Sequence, residues 1–247
     1  MIALNDSGVL MRWIGWGVIL LLFCGFRFWH LASGPELQRD AIAYVQMAEG
    51  RYSPRNDIKY DTPRLALYIW LLARGKNWFG IPTVPWGIGL SLFAGAAFTA
   101  LAALWLREIF PDHPCAVWIG TLFAACSPIM VDLSCSVMRE SLYLMFTAGA
   151  LFSLTCAYTR RKIGWWIAAG IGVALSALIR AEGLEFTLFG IALAFFGWFF
   201  DRREPKAAWE NAFVFLASEL LVLLLLGWSI GIVNQRTWFL LLRRIGQ

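Results

Sequence analysis

The residue in this chain whose type and setting best suit chemistry is Asp40, in Leu37-Gln38-Arg39-Asp40-Ala41-Ile42-Ala43-Tyr44. Around it Leu37, Ala41, Tyr44, Val45 and Ala48 recur at helical spacing and predict an amphipathic helix over 36–49. Gly34-Pro35 precedes this segment and Gly50 closes it, as start and stop signals. Asp40 lies three residues after Leu37 and four before Tyr44, so it shares the apolar stripe and not the solvated face. Two roles suit a carboxylate there. One is a general base that takes a proton from a hydroxyl or amine held within hydrogen-bond reach. The other is a helix-surface carboxylate paired with Arg39 or a neighbouring base.

Other ionisable residues gather at the ends of apolar runs. Asp132, Arg139 and Glu140 precede one run, and Arg180, Glu182 and Glu185 fill a tight connection between two others. Each alone suits an anchor at a membrane boundary. Together the arginines can clamp a phosphate, while the acids can shape an acceptor site or hold a divalent cation. Glu219 lies inside an apolar run, where a helix-packing role is the expectation. Cys24, Cys115, Cys126, Cys135 and Cys156 show no metal-ligand spacing and read as packing residues. Hydrolysis by a Cys/His pair finds no supporting motif, because the expected topology puts His113 inside and leaves only His30 near the outer face to serve Cys135.

The elements that position these residues follow from composition. The chain is 60% apolar and 15% charged, with 14 Trp and a mean hydropathy of +0.64, which places it among integral membrane proteins. A net charge of +5, dispersed along the chain, points to a membrane surface and away from nucleic acid. Seven apolar segments, at 13–31, 84–106, 115–131, 141–159, 163–179, 186–200 and 212–233, are expected to be spanning helices. A shorter run over 65–73, between Arg64 and Arg74, cannot span and is expected at the interface. Arg160-Arg161-Lys162 and Arg202-Arg203 mark one side as cytoplasmic, which also puts the N-terminus inside. The connection over 32–83 is then outside, although it carries Arg39, Arg51, Arg55, Lys59, Arg64, Arg74 and Lys76. So many bases there are either solvated charge or a site for something anionic, such as a lipid phosphate.

In this order the residues resemble the GT-C superfamily of membrane glycosyltransferases, especially aminoarabinose transferases and protein O-mannosyltransferases. The likeness covers roughly 13–200 and runs through Asp40-Ala41-Ile42-Ala43-Tyr44, Asp61-Thr62-Pro63-Arg64-Leu65 and Trp78-Phe79-Gly80. It continues through Ser127-Pro128, Arg139-Glu140-Ser141-Leu142 and Leu178-Ile179-Arg180-Ala181-Glu182-Gly183. Ala41 stands where many relatives have a second acid, and Thr62-Pro63-Arg64 where many have Lys-Pro-Pro.

The resemblance implies an all-α membrane domain over 1–247. It would hold about seven spans and two interfacial helices in the first exoplasmic loop, without the variable C-terminal module of longer members. It implies an inverting transfer of a sugar from a polyprenyl-phosphate donor to a lipid, glycan or protein acceptor. Asp40 is then the base, and Arg64, Arg139 and Arg180 bind the donor phosphate. Glu140, Glu182 and Tyr44 are acceptor or metal candidates, with a divalent cation as candidate cofactor. The implied location is the cell membrane, in bacteria the inner membrane, with the site exoplasmic. The other readings are a non-catalytic subunit that binds lipid-linked sugars beside a partner, and a lipid or solute transporter. Inverted repeats would support the transporter, and none is visible in the spans.

Overall fold

Apolar runs of spanning length can satisfy their backbone groups in hydrocarbon only by bonding within themselves. The described residues of all seven are helical, apart from a break at Ser127 in the third, in a computed structural model, which describes residues 6–34, 37–50, 66–201 and 204–229. The order is α1 (Asp6–Ala32), α2 (Arg39–Ala48), α3 (Ala66–Phe79), α4 (Thr83–Ile109), α5 (Pro114–Cys126), α6 (Pro128–Cys135) and α7 (Arg139–Arg160). Then follow α8 (Ile163–Ile179), a 3₁₀ turn (Ala181–Leu184), α9 (Glu185–Asp201) and α10 (Pro205–Ser229). Among the described residues there is no strand.

Five helical segments are long and apolar enough to cross a membrane: Ile14–Ala32, Thr83–Ile109, Arg139–Arg160, Ala181–Phe200 and Pro205–Ser229. A sixth crossing results if α5 and α6 form one span. The remaining apolar helix, α8, has 17 residues.

The segment expected as one helix over 115–131 is two, bent by 47°. Pro128 supplies no N–H and pushes Ser127 out of the helical region, to φ −53 and ψ 128. The helix expected over 36–49 is shorter, and Leu37 does not belong to its apolar stripe. Leu37 precedes the first turn and is 41% exposed, whereas Ala41, Ala43 and Tyr44 are buried. The interfacial run expected to end at Ala73 continues to Phe79, straight through Arg74, Gly75 and Lys76. Tertiary packing explains this, because Gly75 lies against the Trp86 ring, where any Cβ would collide. The start of α10 is likewise earlier than hydropathy alone suggests, with Pro205 in the first turn, where its missing N–H costs nothing.

Two clusters make the core. One joins Ala41 and Tyr44 of α2 with Leu67, Tyr68 and Leu72 of α3, Ala94 of α4, Leu142 of α7 and Ile179 of α8. The other joins Ala150 and Leu154 of α7, Trp166 and Val173 of α8, Ala194 of α9 and Phe215 of α10. Small residues bring helix backbones together here, as suits packing in lipid. A Cβ on Gly172 would stand 3.1 Å from Ala150, and one on Gly170 only 2.4 Å from the Phe215 carbonyl oxygen. By contrast α1 is mostly uncovered, with Leu21, Phe28 and Trp29 exposed. It is fixed to the bundle at Trp16–Trp118, whose ring centroids are 4.7 Å apart, and at the buried Arg27.

Candidate functional site

The first two connecting helices, α2 and α3, pack on each other and on the beginning of α4. Their interface is built on aromatic burial. Tyr44 is 2% exposed and meets the fully buried Tyr68 edge-on, with centroids 5.4 Å apart at 81°. This places Asp40 one turn before Tyr44 at the start of α2, half-buried, where the helix N-terminus favours a negative charge. Gln38, immediately before α2, donates through Nε2 to Asp132 Oδ2 at 3.1 Å. His30 Nε2 lies 3.4 Å from the other oxygen of Asp132. Asp132 therefore bonds the α2 entry to α6 and lies close to His30 of α1, and among the described residues it makes no ion pair with Arg139 or Arg180. At the other end of α2, Thr83 Oγ1 donates to Glu49 Oε1 at 3.1 Å.

Four of the sequence-predicted residues do come together. Met138 is held by Ser91, whose hydroxyl donates to its carbonyl at 3.4 Å, and α7 begins at the next residue. Arg139 and Glu140 then occupy the first turn of α7. Arg180 leaves α8 in extended conformation, its N–H bonded to Ser176 O at 2.8 Å, and the 3₁₀ turn returns Glu182 beside it. Arg180 Nη1 reaches Glu140 Oε1 at 3.3 Å, while Nη2 and Nε bond Glu182 at 3.1 and 3.4 Å. Arg139 Nε reaches the same Glu140 oxygen at 3.3 Å. The two Glu182 bonds are the main cause that holds the Arg180 guanidinium above its ordinary pKa, with burial opposing them. The Arg180 guanidinium also stands 5.4 Å over the Tyr143 ring.

The quartet is electroneutral, two arginines on two glutamates, and one of its atoms is left over. Glu140 Oε2 is buried and has no hydrogen-bond partner among the described residues. Such an atom is costly unless something donates to it. Tyr68 connects this cluster to α2. Burial pushes its hydroxyl above the ordinary tyrosine value, and the nearby Tyr44 and Glu140 push in the same direction. Tyr68 thus packs against Tyr44 of Asp40's helix and lies near enough to Glu140 for the two to interact electrostatically.

Arg64 lies outside the described residues, as does the rest of the Asp61–Arg64 stretch. Among the described residues no group of three or more His, Cys, Asp or Glu side chains could hold a metal ion. Glu219 is 4% exposed and accepts from Thr187 Oγ1 at 2.6 Å, a link between α10 and α9 of the helix-packing kind. All five cysteines are free, and Cys135, buried, directs its thiol to the Arg27 carbonyl oxygen at 3.7 Å.

Two residues escaped the sequence reading. Tyr68 carries no signal beyond an apolar helix pattern, since its importance comes from what folds against it. Arg27 did carry one, a guanidinium deep within a spanning run. It donates from Nε to Ser134 Oγ at 2.8 Å and from Nη1 to the carbonyls of Ala125 at 2.8 Å and Phe23 at 3.2 Å. It therefore stitches α1 to the α5–α6 break, the piece of chain that delivers Arg139 and Glu140. No family model matches the chain, and comparisons with curated proteins and with solved structures find no match to it.

Proposed function

We propose that this chain is a membrane glycosyltransferase of the GT-C type. It moves a sugar from a polyprenyl-phosphate donor to an acceptor hydroxyl or amine at the exoplasmic face, with inversion. Its apolar helices make seven spans in this reading, with α2 and α3 at the outer interface and the N-terminus inside. Asp40 takes the acceptor proton as the acceptor oxygen or nitrogen attacks the anomeric carbon. The bond from that carbon to the phosphate oxygen breaks, and the lipid phosphate leaves with the electron pair. Arg64, Arg139 and Arg180 offer positive charge where the leaving group gains negative charge, the arrangement that lowers such a barrier most. Glu140 Oε2, still lacking a donor, is the natural contact for an acceptor O–H or N–H.

The observation that carries this reading is the meeting of Arg139 and Glu140, at the head of α7, with Arg180 and Glu182, at the end of α8 and in the 3₁₀ turn. One observation favours the second reading, a non-catalytic subunit that binds lipid-linked sugar. Both arginines already bond carboxylates, so binding a phosphate requires them to exchange partners. The test replaces Asp40 with Asn and follows consumption of lipid-linked sugar in membranes. Loss of at least about 100-fold in turnover, the lower range for general-base removal, is expected. Unchanged turnover by correctly inserted Asp40→Asn protein sinks the base assignment, and sugar-lipid binding without wild-type turnover supports the second reading.

A further inference from the structure

A cavity of about 500 Å³ lies at the far end of the bundle, lined by Leu104, Arg107, Glu108 and Pro111 of α4 and its following turn, with Phe152 and Arg160 of α7. It is remote from the quartet. Arg139 opens α7 and Arg160 ends it, so 21 helical rises of 1.5 Å, about 32 Å, separate the two places. We propose that this cavity is a binding site for an anionic phospholipid, with the headgroup phosphate on Arg107 and Arg160.

The lining is graded from apolar to cationic along the helix axes. Phe152 and Arg160 are eight residues apart on α7, so about 12 Å of helix separates the aromatic depth from the charged rim. On α4, Leu104 precedes Arg107 by nearly one turn and is 47% exposed, which opens the apolar wall toward lipid. An acyl chain can follow Leu104 and Phe152 while its phosphate stays at the rim. A free phosphate or a soluble anion has no use for that wall, which is why the occupant is a lipid.

Charge at the rim supports an anion. Glu108 is the carboxylate in the lining, and both its oxygens are engaged. Oε1 accepts from Thr159 Oγ1 at 2.6 Å and from Arg160 Nε at 3.2 Å, and Oε2 accepts from Arg160 Nη2 at 2.6 Å. This clasp fixes Arg160, whose guanidinium also stands 5.4 Å from the Trp165 ring. Arg107 has no ion pair among the described residues, so the lining keeps a net positive charge. The next residues after Arg160 are Arg161 and Lys162, which add to the potential at that end. Trp105, bonded through Nε1 to Thr155 Oγ1 at 2.9 Å, and Trp165 mark the depth at which indoles border lipid headgroups. Basic pockets between spanning helices suit anionic headgroups for these reasons.

The test titrates delipidated, detergent-purified full chain with short-chain phosphatidylglycerol, phosphatidylcholine or inorganic phosphate, reading binding by native mass spectrometry. Phosphatidylglycerol should bind in preference to the other two, and more weakly as salt rises. Arg107→Gln, at an exposed position that folding does not need, should weaken it about fivefold, and the pair Arg107→Gln with Arg160→Gln about thirtyfold. Arg107→Glu should weaken it further, and it serves should the double variant fail to fold. Equal binding of phosphatidylcholine, equal occupancy by inorganic phosphate at the same arginines, or undiminished binding by folded Arg107→Glu each overturns the proposal.

Discussion

Arg27 illustrates how one side chain can hold a fold whose logic is otherwise apolar. It is 2% exposed, yet it satisfies carbonyls on two chain segments and a serine on a third. The Ala125 carbonyl belongs to the last turn of α5, where Pro128 interrupts the helical ladder. Without the guanidinium that oxygen stays buried with no donor. Arg27→Leu should therefore lower stability in detergent by about 2–3 kcal/mol, the range for a lost hydrogen bond to a charged group plus an orphaned acceptor. Thermal unfolding of purified protein measures this. A variant as stable as the wild type shows that water or another donor reaches the break. Asp40 stands at the opposite extreme, half-buried at the start of its helix where Arg27 is sealed inside the bundle.

At the scale of elements, glycine does two different things in these helices. Gly170 of α8 faces α10 so closely that a methyl group would sit 2.4 Å from the Phe215 carbonyl and 2.1 Å or so from the Ser218 hydroxyl. Gly89 of α4 has nothing within 4 Å of where a Cβ would stand. Gly170→Ala should cost about 1–3 kcal/mol, because backbone must move to admit it. Gly89→Ala should be neutral or stabilising by up to about 1 kcal/mol, from helix propensity alone. Paired thermal melts of the two variants decide this, and equal effects would show that α8 and α10 are not closely seated. The broken α5–α6 pair and the continuous α3 follow the same principle. A proline fixed one locally, and a glycine under a tryptophan allowed the other to run on.

The whole molecule has two polar ends and an apolar waist. One end gathers Asp40, the Tyr44–Tyr68 pair and the Arg139–Glu140–Arg180–Glu182 quartet, and the other gathers Arg107, Glu108, Arg160 and the cavity beside them. On the helices that connect them Phe93, Phe123, Leu188, Phe199 and Phe213 are exposed, a liability in water and a fitting surface in lipid. Cysteine reporters in a cysteine-free background, one at Lys162 and one at Glu182, should react with impermeant reagent from opposite sides of sealed vesicles. The Lys162 reporter should be the cytoplasmic one. Labelling of both from one side would remove α8 from the set of crossings and reverse the relation between the site and the cavity.

Hydropathy alone determined that this chain is helical and membrane-like, because unsatisfied backbone in hydrocarbon leaves few alternatives. The sequence likewise marked Arg139, Glu140, Arg180 and Glu182, since charge at the edges of apolar runs stands out. It could not show that these four bond one another, that Asp132 turns instead to His30 and Gln38, or that Leu37 lies off the α2 stripe. Those outcomes depend on which helix ends meet. Only tertiary packing decided them, through close glycine seams, the bend at Pro128 and the guanidinium of Arg27 beneath it. Sequence periodicity names the face of a helix, but the partner on that face is chosen by contacts between residues about a hundred positions apart, as Arg27 is from Ala125 and Ser134.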